Sequence, residues 1–117
     1  MHEASIVRNV IRIVEEAAQK NGLASISKVV LEIGQFSGVE IEALEFAFSA
    51  FKHDTILQDA IIEYLTPPLT LFCKECENQY LGDFDDLRCP ACMGTHFEVI
   101  HGREMVVKSI VGASDDQ

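Results

Sequence analysis

The sequence predicts an α/β (α+β) fold: two helices packed on one face of a small mixed sheet, with a four-cysteine ribbon-like module inserted before the last strand. Three observations point there. Two stretches repeat their apolar residues at helical spacing, three shorter runs read as strands, and all four cysteines lie between positions 73 and 92.

Residues 4–20 place Ile6, Val10, Ile13 and Ala17 at helical intervals, flanked by Val7, Ile11, Val14 and Ala18. Arg8, Arg12, Glu15, Glu16 and Gln19 fall on the other side, so the segment predicts an amphipathic helix against a core. Asn21-Gly22 supplies its stop, because glycine enters the left-handed region without a Cβ penalty. Residues 28–33 alternate, with Val29, Leu31 and Ile33 on one face and Lys28 and Glu32 on the other, as in a strand with one buried side. Gly34 ends it. Ser37 and Glu40 have the spacing of a capping box ahead of a second helix, whose stripe is Ile41, Leu44, Phe48 and Phe51. Residues 60–65 read as a strand closed by Pro67-Pro68. Residues 69–100 lack a regular period and hold turn-forming Gly82, Pro90 and Gly94. Residues 104–111 return to a strand-like run, and 113–117 read as a flexible polar tail. No repeat or low-complexity stretch interrupts this order.

The chain has 117 residues, room for one modest core and a small appended module. Nine basic residues against nineteen acidic ones give a formal charge of −10. Nucleic acid and anionic membrane surfaces are therefore disfavoured, and a cation or a basic protein face is the partner such a field attracts. No apolar run approaches the ~20 residues that span a bilayer. Met1-His2-Glu3 shows no basic segment followed by an apolar one, so a cytoplasmic location is expected, where cysteines serve metals more often than disulfides.

Cys73-Lys74-Glu75-Cys76 and Cys89-Pro90-Ala91-Cys92 are two C-x-x-C pairs. Each can turn tightly enough to aim two thiolates at one cation, and two such turns facing each other make a tetrahedral S₄ site suited to Zn²⁺. This is a zinc-ribbon-like pattern. With all four positions filled by sulfur, no site remains for a substrate water, so the zinc is structural. The redox alternative needs a lone C-x-x-C opening a helix in a βαβ setting, which is missing. Residues 67–101 carry two basic residues against six acidic ones, so protein contact suits the module better than nucleic acid.

His2 is the second metal candidate. The Met1 amine, the His2 backbone nitrogen and its imidazole form a chelate, to which Glu3 can add a backbone nitrogen or a carboxylate. Nitrogen donors in near-planar array suit Ni(II) or Cu(II). Taken alone, a histidine in second position is more often merely exposed. His53, His96 and His101 are scattered, with ordinary surface roles as the default.

These residues together resemble a known family, the HypA/HybF hydrogenase nickel-insertion accessory proteins, over residues 1 to about 111. The resemblance rests on Met1-His2-Glu3-Ala4-Ser5-Ile6, on residues 31–40 (LEIGQFSGVE), on the paired C-x-x-C motifs and on Gly102-Arg103-Glu104-Met105. It implies a nickel metallochaperone in two parts: a nickel-binding α/β domain, 1–66 plus 102–112, and a zinc-binding domain, 67–101. It implies nickel at His2 with Glu3 beside it, and an acidic residue near nickel in some members, matched by Glu40. A maturation GTPase and the large subunit of [NiFe]-hydrogenase are the implied partners, with urease maturation served by some members. Both monomer and homodimer are compatible with this reading.

Two other functions compete. One is a zinc-stapled interaction module without cargo. The other is an enzyme, against which stands the lack of a G-x-S-x-G, a phosphate-binding glycine loop or an H-E-x-x-H.

Overall fold

A computed structural model describes residues 2–114. The elements run α1 (Glu3–Lys20), β1 (Leu23–Ile33), α2 (Ile41–Phe51), β2 (Ile61–Leu65), β3 (Thr70–Cys73), β4 (Gln79–Leu81), β5 (Phe97–His101) and β6 (Met105–Ser114). They form two three-stranded sheets, ordered β2-β1-β6 and β4-β3-β5. The first is mixed, since β2 runs parallel to β1 and β6 antiparallel to it. The parallel pair requires a crossover, and α2 supplies it.

Both helices cover the same face of that sheet. Val29, Leu31 and Ile33 point into a core completed by α1, by Leu44, Ala47 and Phe48 of α2, and by Leu57 and Ala60. The buried face of α1 is Val7, Val10, Ile11, Val14 and Ala18. This corrects the predicted stripe: Ile6, Ile13 and Ala17 sit half-buried at its margin, because the apolar sector is wider than the surface it meets. Arg8 lies over the Phe51 ring at 4.8 Å and joins the two helices on their outer side. At the end of α1, Asn21 donates backbone N–H and side-chain Nδ2 to the Ala17 carbonyl, and Gly22 turns the chain at φ +66°.

Three boundaries differ from expectation. β1 begins at Leu23, five residues before the predicted strand, because the interval pairs with the end of β6 through two register shifts. Those bulges break the alternation that would have marked the strand. At the other end, Ala113 pairs with Ser25 and Ser114 with Leu23, so the first two residues of the expected tail are strand. Positions 115–117 lie outside the described residues. The capping box is also replaced. Ser37 Oγ accepts the Val39 N–H at 3.2 Å in a local turn, and Glu40 is itself the N-cap of α2, with no side-chain cap bond.

The second sheet is an insertion between β2 and β6. It has a small core of its own: Leu69, Leu71, Cys73, Tyr80 and Cys89, with Phe36, Leu87, Phe97 and Val99 packed against it. Phe36 belongs to the β1–α2 loop, so this ring enters the second core from the first sheet. It meets Phe84 edge to face, with centroids 5.1 Å apart at 81°. The chain crosses between sheets at Gly34 and Gly102. Gly34 N–H donates to Glu104 O at 2.8 Å, and Phe36 N–H to Gly102 O at 2.6 Å. A Cβ on Gly34 would stand 2.2 Å from the Gly102 carbonyl, so the approach of these two backbones requires glycine.

Candidate metal centre

The second sheet ends in two turns that mirror each other. In the first, Glu77 N–H donates to Cys73 O at 2.8 Å and Cys73 N–H to Asn78 O at 2.8 Å. In the second, Met93 N–H donates to Cys89 O at 2.7 Å and Cys89 N–H to Gly94 O at 3.0 Å. Glu77 and Met93 hold equivalent positions, and both take left-handed backbone, at φ 65° and 64°. The repeated C-x-x-C spacing therefore folds into two copies of one knuckle, each presenting its sulfurs inward.

All four Sγ atoms lie within 4.8 Å of one another, with Cys73–Cys92 and Cys76–Cys89 each at 3.6 Å. A tetrahedral ion with bonds of ~2.3 Å to sulfur needs sulfur separations of about 3.8 Å, so the cluster has the size of a ZnS₄ site. Cys73 and Cys89 are buried, whereas Cys76 and Cys92 form the outer lip. No disulfide joins them.

The thiols are electrostatically unequal. For Cys89 burial works against ionisation, yet the Cys92 and Ala91 backbone amides and the Asn78 and Cys76 side chains outweigh it and lower the pKa to about 6. Asn78 Nδ2 reaches the Cys89 sulfur at 3.7 Å. Cys92 moves the other way. The Gly94 amide favours its thiolate, but the neighbouring sulfurs of Cys73, Cys76 and Cys89, together with burial, push it up to about 12. Four thiols this close cannot all ionise without a cation to share. Burial first, and then the nearby cysteine charges, hold the Tyr80 phenol above its usual range. Its hydroxyl donates to Leu87 O at 2.6 Å and braces the loop between the knuckles.

The other predicted residues lie at the start of α1 and at the N-cap of α2. His2 is exposed at the start of α1, where its carbonyl accepts the Ile6 N–H at 3.1 Å. Glu3 opens the helix, and its Oε2 accepts the Glu40 N–H at 3.4 Å. The segments holding positions 3 and 40 therefore meet. Beside Glu40 lies a cleft of about 400 Å³ that Ile33, Gly34 and Glu42 also line. Met1 lies outside the described residues. Among the described residues the four cysteines are the one group of three or more His, Cys, Asp or Glu side chains close enough to hold an ion, so His2, Glu3 and Glu40 do not converge as they stand. Two residues were missed by the sequence reading: Asn78, one of many polar loop residues until its amide is seen on Cys89, and Phe36, whose ring crosses between the sheets.

A mixed sheet under two helices thus carries an inserted pair of cysteine knuckles of the size that holds one metal ion. The family model for HypA, described as hydrogenase/urease nickel incorporation, metallochaperone, matches residues 1–112. Hydrogenase maturation factor HypA of Albidiferax ferrireducens is 40% identical over 110 residues, covering 94% of this chain and 97% of that one. The same factor of Aquifex aeolicus is 34% identical over 110 residues, covering 94% and 96%. The solution structure of the Ni metallochaperone HypA from Helicobacter pylori is similar in fold, with a TM-score of 0.71 at 29% identity over 98% of this chain and 100% of that one. The chain belongs to the HypA family of hydrogenase maturation factors. It is a nickel metallochaperone by family and not an enzyme. No helix among the described residues is long and apolar enough to cross a membrane.

Proposed function

We propose that this chain carries Ni(II) at its amino terminus and keeps a separate Zn²⁺ in the four-cysteine cluster. The nickel ligands are the Met1 amine, His2 and Glu3, with Glu40 adjacent. Cys73, Cys76, Cys89 and Cys92 hold the zinc. The observation that carries the reading is the pairing of Glu3 with the Glu40 amide beside an exposed His2, at a place separate from the sulfur cluster. Nitrogen and oxygen donors suit a divalent nickel that must later leave, and four thiolates suit a zinc that stays.

Residues 1–66 with 102–112 then form the cargo unit, and 67–101 the zinc unit. Zinc bound by the thiolates supplies folding free energy to a module whose own core is five buried residues. At the other site the exposed imidazole binds metal only when unprotonated, so acid favours release. The recipient in this reading is the large subunit of [NiFe]-hydrogenase, with a maturation GTPase as co-worker and urease maturation proteins as a further destination, all in the cytoplasm. Acetylating the amino terminus tests the assignment, because it removes one proposed ligand and leaves the fold alone. Nickel binding is expected to vanish while zinc stays at one per chain; nickel binding equal to that of the free terminus would contradict the reading.

A further inference from the structure

The four sulfurs differ in their access to solvent. Cys76 and Cys92 are exposed, whereas Cys73 and Cys89 are buried. Each C-x-x-C therefore contributes one inner and one outer sulfur. The short separations run between the knuckles: outer Cys92 lies 3.6 Å from inner Cys73, and outer Cys76 lies 3.6 Å from inner Cys89. Every exposed sulfur thus has a sheltered sulfur of the other turn beside it. That is the arrangement of a thiolate that meets an oxidant and a second one that resolves the product.

The surroundings select the class of oxidant. A Cβ on Gly94 would collide with the Glu75 carboxylate and stand 3.2 Å from Cys92 Sγ, so this acid flanks the outer lip. Residues 67–101 carry two basic residues against six acidic ones. Four thiolates on one Zn²⁺ add a further net charge of about −2. Such a surface repels an anionic disulfide such as oxidised glutathione. A small neutral hydroperoxide meets no such barrier.

We infer that the cysteine cluster is a peroxide-sensitive site whose oxidation joins one knuckle to the other, Cys73 to Cys92 and Cys76 to Cys89, and discharges the zinc. The inference rests on the zinc assignment above, because the bound ion is what keeps these sulfurs as thiolates. In the first step an outer sulfur gives an electron pair to a peroxide oxygen. The S–O bond forms, the O–O bond breaks, and the departing hydroxide takes a proton from solvent to become water. The inner sulfur then attacks the sulfenic sulfur. The S–S bond forms, the S–O bond breaks, and the second hydroxide leaves as water after protonation. Two sulfurs lose the two electrons that one peroxide gains, so both pairs together consume two peroxides. Closing each pair asks its sulfurs to approach by about 1.6 Å, from 3.6 Å to the ~2.05 Å of a disulfide. A dithiol reductant reverses the change by exchange and restores the metal ligands.

The test treats zinc-loaded, nickel-free protein, prepared without oxygen, with hydrogen peroxide. Zinc release is followed with a chromophoric chelator, and remaining thiols are alkylated before non-reducing digestion with trypsin. Cleavage after Lys74 and Arg88 puts Cys73, Cys76 and the Cys89–Cys92 segment on three separate peptides. The expected product is one species in which all three are joined, with fragment masses placing Cys92 on Cys73 and Cys89 on Cys76. Its zinc is lost, and is rebound after reduction. A sulfenic-acid trap present during sub-stoichiometric oxidation is expected to mark Cys76 or Cys92. Any other disulfide pairing, or a trap adduct on Cys73 or Cys89, would overturn the inference. Zinc that stays bound in excess peroxide overturns it and leaves the metal assignment intact, whereas a chain purified without zinc overturns both.

Discussion

At the scale of single residues, the most informative contrast lies inside the cysteine cluster. Cys89 ionises near pH 6 and Cys92 resists to about 12, although both belong to one C-x-x-C. Their amide environments and neighbouring sulfurs cause the difference, so a sequence motif cannot display it. The folded module is therefore expected to lose stability in acid, read as loss of far-ultraviolet signal. The sign follows from the direction of the shift. A thiol whose folded pKa is depressed favours the folded form fully above its unfolded value, and that contribution fades as pH falls through about 6. The Asn78 amide is one source of the shift. Asn78→Ala is expected to weaken zinc affinity about 10-fold, as loss of a partner to a ligand commonly does, measured by competition with a chromophoric chelator. An unchanged affinity would show that the contact at 3.7 Å carries no weight.

At the scale of elements, regular periodicity was legible and broken periodicity was not. The two helices could be read from their apolar spacing, and the buried side of β1 from Val29, Leu31 and Ile33 at every second position, although Val30 between them is buried as well. The first five residues of β1 escaped notice because bulges disturb their register, and β3, β4 and β5 because they are three to five residues long and interrupted by knuckles. Ser37 and Glu40 had capping spacing, but Ser37 closes a local turn with Val39 instead. That rearrangement leaves the Glu40 N–H to the Glu3 carboxylate. The crossing at Gly34 and Gly102 gives an element-scale prediction. Gly34→Ala forces a Cβ against backbone that has nowhere to go, and it should cost more than about 2 kcal/mol by thermal unfolding, whereas an ordinary surface substitution stays within about 0.5 kcal/mol. Phe36→Ala should cost about 3 kcal/mol, at the lower end for a core phenylalanine, because the ring is only partly buried in the second core.

At the scale of the molecule, the proposed function divides two metal chemistries between two structural units. The four cysteines belong to the inserted sheet with its own small core, and the proposed terminal donors lie at the start of α1 in the larger unit. Chelation of zinc is therefore expected to melt residues 69–101 while the helical signal of α1 and α2 persists in the far-ultraviolet spectrum. Simultaneous loss of both would show that the larger core depends on the module. The cysteine cluster was legible from spacing alone, because two C-x-x-C turns bring their four sulfurs to one point. His2 was not, because one exposed histidine has many uses.

The central claim is that cargo and structural metal occupy different sites. Calorimetric nickel titration of untagged, zinc-loaded protein beside the His2→Ala variant, with both metals quantified by elemental analysis, tests it most directly. One nickel per chain that disappears in the variant, with zinc constant at one, is the predicted result. Equal nickel affinity in His2→Ala, or nickel taken up only as zinc departs, would contradict it.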